Sequence, residues 1–264
     1  MAKPVAHAYG KDAVSVYRVD GDRLFACEVR MLVLGEAFES SYTEGDNSLV
    51  VATDSMKNFI QRRALEFRSE GLEDFLTEIG SGFLERYEHV EAVELRAEES
   101  TFVRRAGSVL QRLYDDRAVA EVEISRDGSR LERSGRRGLH LIKLHGSSFA
   151  GFVRDEYTTL PEAHDRPLFV HLDLWWRHAD YGRRAAGDDV RQLVIETFSD
   201  FESASIQELV HEMGVRVLGR FAEIDSVSFR AENRLWDTVQ EADGITVYTD
   251  ARPPFGVIEL TMRR

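Results

Sequence analysis

Between residues 24 and 34 apolar and polar positions alternate: Phe25, Cys27, Val29, Met31 and Val33 share one face at period two, which predicts a long half-buried strand. A shorter strand over residues 13–19 precedes it. After residues 49–53 the period lengthens. Met56, Phe59, Ile60, Ala64 and Phe67 recur every three or four positions, predicting an amphipathic helix with Asp54 and Ser55 as capping residues at its start. Leu72, Phe75, Leu76, Ile79, Phe83 and Tyr87 form a second helical stripe, and residues 93–96 and 119–124 return to strand character. The second half repeats this order. Strands at 140–144 and 168–176 are followed by a helix through Val190, Leu193, Val194 and Phe198, and by another through Ile206, Leu209, Val210, Met213 and Val217. Strands at 224–229 and 257–262 close the chain. The pattern is that of an α+β protein with two topologically repeated domains, each an antiparallel sheet with a helix pair on one face. The stretch Arg133-Ser134-Gly135-Arg136-Arg137-Gly138 is the natural place to divide them, giving domains 1–136 and 137–264. Sheets covered on one face only leave the other to be covered, so a homo-oligomer is expected.

Composition agrees with two domains and narrows the partners. The 264 residues suit two units of about 130, and 43% apolar with 31% charged residues is a globular profile. A net charge of -13 repels phosphate backbones and anionic membranes, so neither nucleic acid nor a membrane is expected as partner. An anionic small substrate remains compatible, because basic side chains and helix ends dominate the field inside a pocket. The single cysteine, Cys27, lies in the apolar strand and reads as a buried structural thiol. No signal-peptide pattern, no apolar stretch near ~20 residues and no peroxisomal address at Thr261-Met262-Arg263-Arg264 occur, and a cytoplasmic location is expected.

Several chemistries lack their signatures. There is no phosphate-binding glycine loop, no dinucleotide fingerprint and no Cys or His cluster at zinc spacing, so no metal or cofactor is expected. His171 and His178 lie an odd number of positions apart on a strand, which puts them on opposite faces.

Polar segments at the ends of regular elements carry the remaining signal: Tyr9-Gly10-Lys11, Gly45-Asp46-Asn47-Ser48, and Val51-Ala52-Thr53-Asp54-Ser55-Met56-Lys57-Asn58. A longer one, Phe149-Ala150-Gly151-Phe152-Val153-Arg154-Asp155-Glu156-Tyr157-Thr158-Thr159-Leu160, precedes Asp165-Arg166. Ser203-Ala204-Ser205-Ile206-Gln207 and Asn233-Arg234 complete the set. Taken singly these residues have plain readings. Phe149 would be core, Arg166 a surface ion-pair partner, Lys11 solvent-exposed, Asp54 a helix cap and Asn233 a strand end or turn. Together and in this order they resemble the urate oxidase (uricase) family, over nearly the whole chain.

The resemblance implies two tandem tunnelling-fold domains per subunit and a homotetramer around a central channel, with active sites between subunits. It implies no cofactor. Arg166 and Gln207 would grip opposite polar edges of the purine while Phe149 stacks on its face, which suits a planar donor fork, an amide with both a donor and an acceptor, and an aromatic ring. The main-chain N–H groups at Asp54 and Ile206, each at a helix start, would bind the anion, with Thr53 beside them. Lys11 and Thr53 would be the catalytic pair, Thr53 coming from a neighbouring subunit. A hydroxyl alone is a poor base, whereas a desolvated lysine can take a proton near neutral pH. Asn233 would lie above the purine plane, where oxygen and then water sit. The implied reaction turns urate, O2 and water into 5-hydroxyisourate and hydrogen peroxide. One position departs from the family: the usual Asn, basic residue, His reads Asn233-Arg234-Leu235 here, and leucine cannot relay a proton. Two other readings follow from the same residues. One is a catalytically weak purine-binding homo-oligomer of the same fold. The other is a pterin-processing relative, for which the zinc-binding histidines are not apparent.

Overall fold

A computed structural model describes residues 6–69 and 71–264, and these form two compact units that divide after Ser134. In the first unit, β1 (Ala8–Asp20) and β2 (Arg23–Leu34) form an antiparallel hairpin. The short α1 (Glu39–Thr43), then α2 (Thr53–Glu66) and α3 (Leu72–Arg86), lead to β3 (Ala92–Glu99). A two-stranded excursion, β4 (Phe102–Ala106) and β5 (Val109–Arg112), precedes β6 (Arg117–Ser125) and β7 (Arg130–Lys143). The sheet order is β1-β2-β3-β6-β7, so β1 is an edge. The second unit takes β7 onward through β8 (Leu168–His178), α4 (Gly187–Asp200), α5 (Ile206–Arg220) and β9 (Ile224–Asn233). The hairpin of β10 (Asp237–Ala242) and β11 (Ile245–Thr249) stands apart, and β12 (Gly256–Arg263) ends the sheet order β7-β8-β9-β12. This is the α+β arrangement the pattern predicts and the tunnelling fold the resemblance implies, with a helix pair on one face of each sheet.

Apolar alternation explains that packing. Val29, Met31 and Val33 of β2 and Val93, Leu95 and Ala97 of β3 are buried beneath Met56 and Ile60 of α2 and Phe75, Ile79 and Phe83 of α3. Phe25, Phe67 and Phe75 meet at ring-centroid distances of 4.9–5.6 Å. Each such side chain taken fully out of water contributes about 1.5–3 kcal/mol. In the second unit Leu172, Leu174 and Trp176 of β8 and Val227, Phe229 and Ala231 of β9 pack against Val190 and Val194 of α4 and Leu209, Met213 and Val217 of α5.

The opposite faces are charged rather than apolar. Arg96 lies 3.7 Å from Glu121, Asp173 stands opposite Arg230 across β8 and β9, and the His140 and His171 rings stack at 3.7 Å. Such faces are mostly polar, with Phe169 and Trp175 of β8 among the apolar exceptions, so they supply little apolar drive for assembly; the unpaired sides of the edge strands are the stickier feature. His178, on the other face of β8 from His171, is buried and accepts from the Ala185 N–H at 3.2 Å.

Several boundaries differ from the sequence expectations. β1 begins at Ala8 and so takes in Tyr9-Gly10-Lys11, with a register shift between Lys11 and Val14 and Ala13 at φ +56°. Polar residues there hid the strand. Residues 133–138 are not a turn but the middle of β7, where Ser134, Gly135 and Arg136 are buried; the run of Gly and Arg imitated a loop. Asp54 and Ser55 do not cap α2: the cap position is Ala52, no side chain caps it, and the Asp54 carboxylate turns to Lys57 and Asn58 at 2.6 and 3.0 Å. The exposed hairpins β4–β5 and β10–β11 lack a buried face and left no period-two signal. No helix among the described residues is long and apolar enough to cross a membrane.

Cys27 is buried among apolar neighbours. Burial, with a smaller push from Glu99, raises its thiol to about 12. A raised thiol keeps its contribution to stability below the ordinary value near 8.5 and loses it as pH climbs toward the folded value. Cys27 is therefore expected to resist alkylation in the native protein at pH 8 and to react at once in guanidinium, counted by mass spectrometry. Native labelling within minutes would contradict the burial.

Candidate active site

The first unit brings Lys11, Thr53 and Asp54 together through a latch near the start of β1. The Tyr9 hydroxyl accepts a hydrogen bond from the Val51 N–H at 2.8 Å, tying the strand to the segment that enters α2. The Tyr9 ring packs edge-on against Phe38 at 4.7 Å, and burial raises its phenol above the ordinary range. Two residues on, Lys11 pairs with Met31 and is half-buried. Thr53 is the first residue of α2, and Asp54 follows. The Asp54 carboxyl lies below its ordinary range, first through Lys57 and to a smaller extent through the charge of Lys11. Lys11 is thus within electrostatic reach of the start of α2. With no capping side chain, the N–H groups of the first turn point outward, the usual arrangement for meeting an anion.

Gly10 is required by close approach. A Cβ there would lie 1.8 Å from the Met31 carbonyl oxygen, which is backbone and cannot swing aside. Gly10→Ala is expected to lower stability by about 1–3 kcal/mol or more, as overpacking does, and to displace Lys11. Thermal unfolding checks this, and an unchanged melting temperature would contradict it.

The second unit carries Phe149, Arg166, Ile206, Gln207 and Asn233, and sets Phe149 and Arg166 side by side. Phe149 and Ala163 exchange two backbone hydrogen bonds, at 2.7 and 3.0 Å. The Phe152 ring stacks on Phe149 with centroids 4.9 Å apart and planes 12° apart. Gly151, at φ +72°, makes the turn between them. The Arg166 guanidinium carbon lies 5.9 Å from the Phe149 centroid. Its Nε is buried without a hydrogen-bond partner, and desolvation lowers the guanidinium's affinity for its proton. A half-buried guanidinium with an open donor is chemically suited to meet an anion.

α5 supplies the next two residues. Ser205 is its cap and accepts from the Glu208 N–H at 3.1 Å, while the Glu208 carboxylate accepts from the Ala204 N–H at 2.7 Å. This capping box went unread in the sequence, although Ser205-Ile206-Gln207-Glu208 spells it. It leaves the N–H groups of Ile206 and Gln207 at the open end. The Ile206 side chain is in the core and the Gln207 side chain is exposed, so Ile206 can serve only through its backbone. Asn233 ends β9 opposite Val170, three residues beyond Pro167 on the segment that Arg166 begins. Its Oδ1 is buried and unpartnered. The next residues are held firmly: the Arg234 N–H donates to the Phe169 carbonyl at 2.8 Å, and its guanidinium covers the Phe255 ring at 3.7 Å. Leu235 is half-buried.

The uricase family model matches residues 7–118 and 132–259, which include every one of these positions. The chain belongs to the uricase family. It is therefore an enzyme, in a family of oxidoreductases that act on urate with O2. The uricase of Haloferax volcanii is 38% identical, over 97% of both chains. The bifunctional uric acid degradation protein PucL of Bacillus subtilis is 40% identical over 87% of this chain, which spans 52% of that longer protein. Among solved structures, a hyperthermostable mutant of Bacillus sp. TB-90 urate oxidase superimposes with a TM-score of 0.90 at 36% identity, covering 98% of this chain and 99% of that one. A uricase from Bacillus fastidious gives a TM-score of 0.92 at 34% identity, covering 98% and 94%.

Proposed function

We propose that this protein oxidises urate with O2 and water to 5-hydroxyisourate and hydrogen peroxide, without a cofactor. The observation that carries this reading is Arg166: a half-buried guanidinium whose buried Nε has no hydrogen-bond partner, set beside the Phe149 ring. Its fork suits a carbonyl and a neighbouring ring nitrogen of the urate anion. Gln207 pairs with the opposite edge, and the face of Phe149 turned away from Phe152 takes the purine plane. The N–H groups at Ile206 and, from the other group, at Asp54 add donors for the anion. Asn233 holds the oxygen and water above the ring.

Lys11 draws a proton from urate through the Thr53 hydroxyl. The electron-rich dianion then reduces O2 directly, water adds at the C5 carbon, and peroxide leaves. Stabilisation of the dianion by Arg166 and the two helix ends is the largest electrostatic contribution. The site is assembled between copies in a homotetramer, one copy supplying Lys11, Thr53 and Asp54 and another supplying the purine grip. Edge strands β1 and β12 support association of copies, because each has an unpaired side.

A second reading, a purine-binding assembly with weak turnover, is favoured by Leu235 alone. Incubating chelator-treated protein with urate while following urate absorbance and peroxide together separates the two. Equal urate loss and peroxide gain supports the oxidase; binding with no consumption at any pH supports the second reading.

A further inference from the structure

The purine grip is spread over three chain segments, around residues 147–149, 165–166 and 203–207, and Gly146-Ser147 is the strip that all of them share. Ser147 bridges Ser203 in parallel, the Ser203 N–H donates to the Gly146 carbonyl at 3.2 Å, and the Ser148 N–H donates to the Ser203 carbonyl at 2.9 Å. The Arg166 N–H donates to the Ser147 carbonyl at 3.0 Å. One side chain closes the loop. Asp165 Oδ1 accepts from the Gly146 N–H at 2.8 Å, and His145 Nδ1 lies 3.6 Å from Oδ2.

We propose that Asp165 is a positioning residue for urate binding: its carboxylate clamps Gly146-Ser147 and thereby sets the Arg166 guanidinium against Phe149 and the start of α5. The clamp rests on the urate oxidase reading of the same site. It assigns a purpose to an acid that otherwise works against binding, since a carboxylate next to the anion-gripping arginine repels urate. The hydrogen bond from Gly146 above all, then Ser147 and His145, holds the Asp165 carboxyl below the ordinary range. The clamp is therefore intact above about pH 4 and opens only as pH falls further.

The two roles of Asp165 predict opposite signs. As a mere surface charge, its removal tightens urate binding. As a clamp, Asp165→Ala raises KM and the anaerobic dissociation constant for urate about tenfold, with kcat changed far less, because misplacement of a gripping group is costly. Asp165→Asn keeps an acceptor oxygen for the Gly146 N–H and is expected to restore most of the affinity. Asp165→Glu keeps the charge but moves it by one methylene, and is expected to bind weakly. Should Asp165→Ala unfold, the contrast between Asn and Glu carries the test alone. Wild-type or tighter binding by Asp165→Ala, or by Asp165→Glu, would overturn the clamp. Urate consumption by the wild type, measured in the same series, reports separately on the oxidase reading.

Discussion

Replacing Lys11 by alanine is expected to lower kcat for urate about 10²–10⁴-fold, the range typical of losing a positioned general base. Anaerobic urate binding should change little, because Lys11 is not part of the grip proposed for Phe149, Arg166 and Gln207. Its strand is positioned by the Tyr9–Val51 hydrogen bond and by the close approach of Gly10 to Met31, neither of which depends on the Lys11 side chain. Stopped-flow mixing of urate-loaded, oxygen-free enzyme with O2 isolates the chemical steps. Equal turnover in wild type and Lys11→Ala would remove the proposed base.

Arg166→Ala is expected to act on the other half of the account. Removing one partner of a desolvated charge pair costs about 2–5 kcal/mol. At 1.4 kcal/mol per tenfold, that raises the urate dissociation constant by about 30- to 4,000-fold. Arg166→Lys should recover only part of this, since an ammonium cannot reproduce the planar fork. Equilibrium binding of urate without oxygen gives the comparison, and binding by Arg166→Ala within a few-fold of wild type would show that the anion is held elsewhere.

The sequence showed the elements with strong periodicity and missed those defined by single contacts. The apolar stripe on β2 and the helical stripes on α2, α3, α4 and α5 all correspond to buried faces packed in the two cores. What did not show was the inclusion of Lys11 in β1. That depends on a bulge at 11–14 and on a tyrosine hydroxyl 42 positions from its partner. The resemblance supplied the site residues, and the structure supplies physical reasons for several of them. Ile206 is a core residue useful through its N–H, Gly10 is a backbone contact, and Arg166 is a half-buried cation with a buried, unused Nε donor. Asp165 stood in the recognised motif without a task, because its hydrogen bond to the Gly146 N–H spans a loop that no local pattern encodes.

In the proposed assembly, urate is oxidised where the Lys11 group of one copy meets the Arg166 group of another. Lys11→Ala and Arg166→Ala chains carrying different tags, co-expressed and purified through both tags, test it directly. In mixed assemblies a site between copies draws its Lys11 and its Arg166 from different chains. Random mixing then restores both residues at about one quarter of the sites, and urate oxidation should return to about that share of the wild-type rate. If each site is built from a single copy, every site carries one of the two lesions, and mixed assemblies would be no more active than the separate variants.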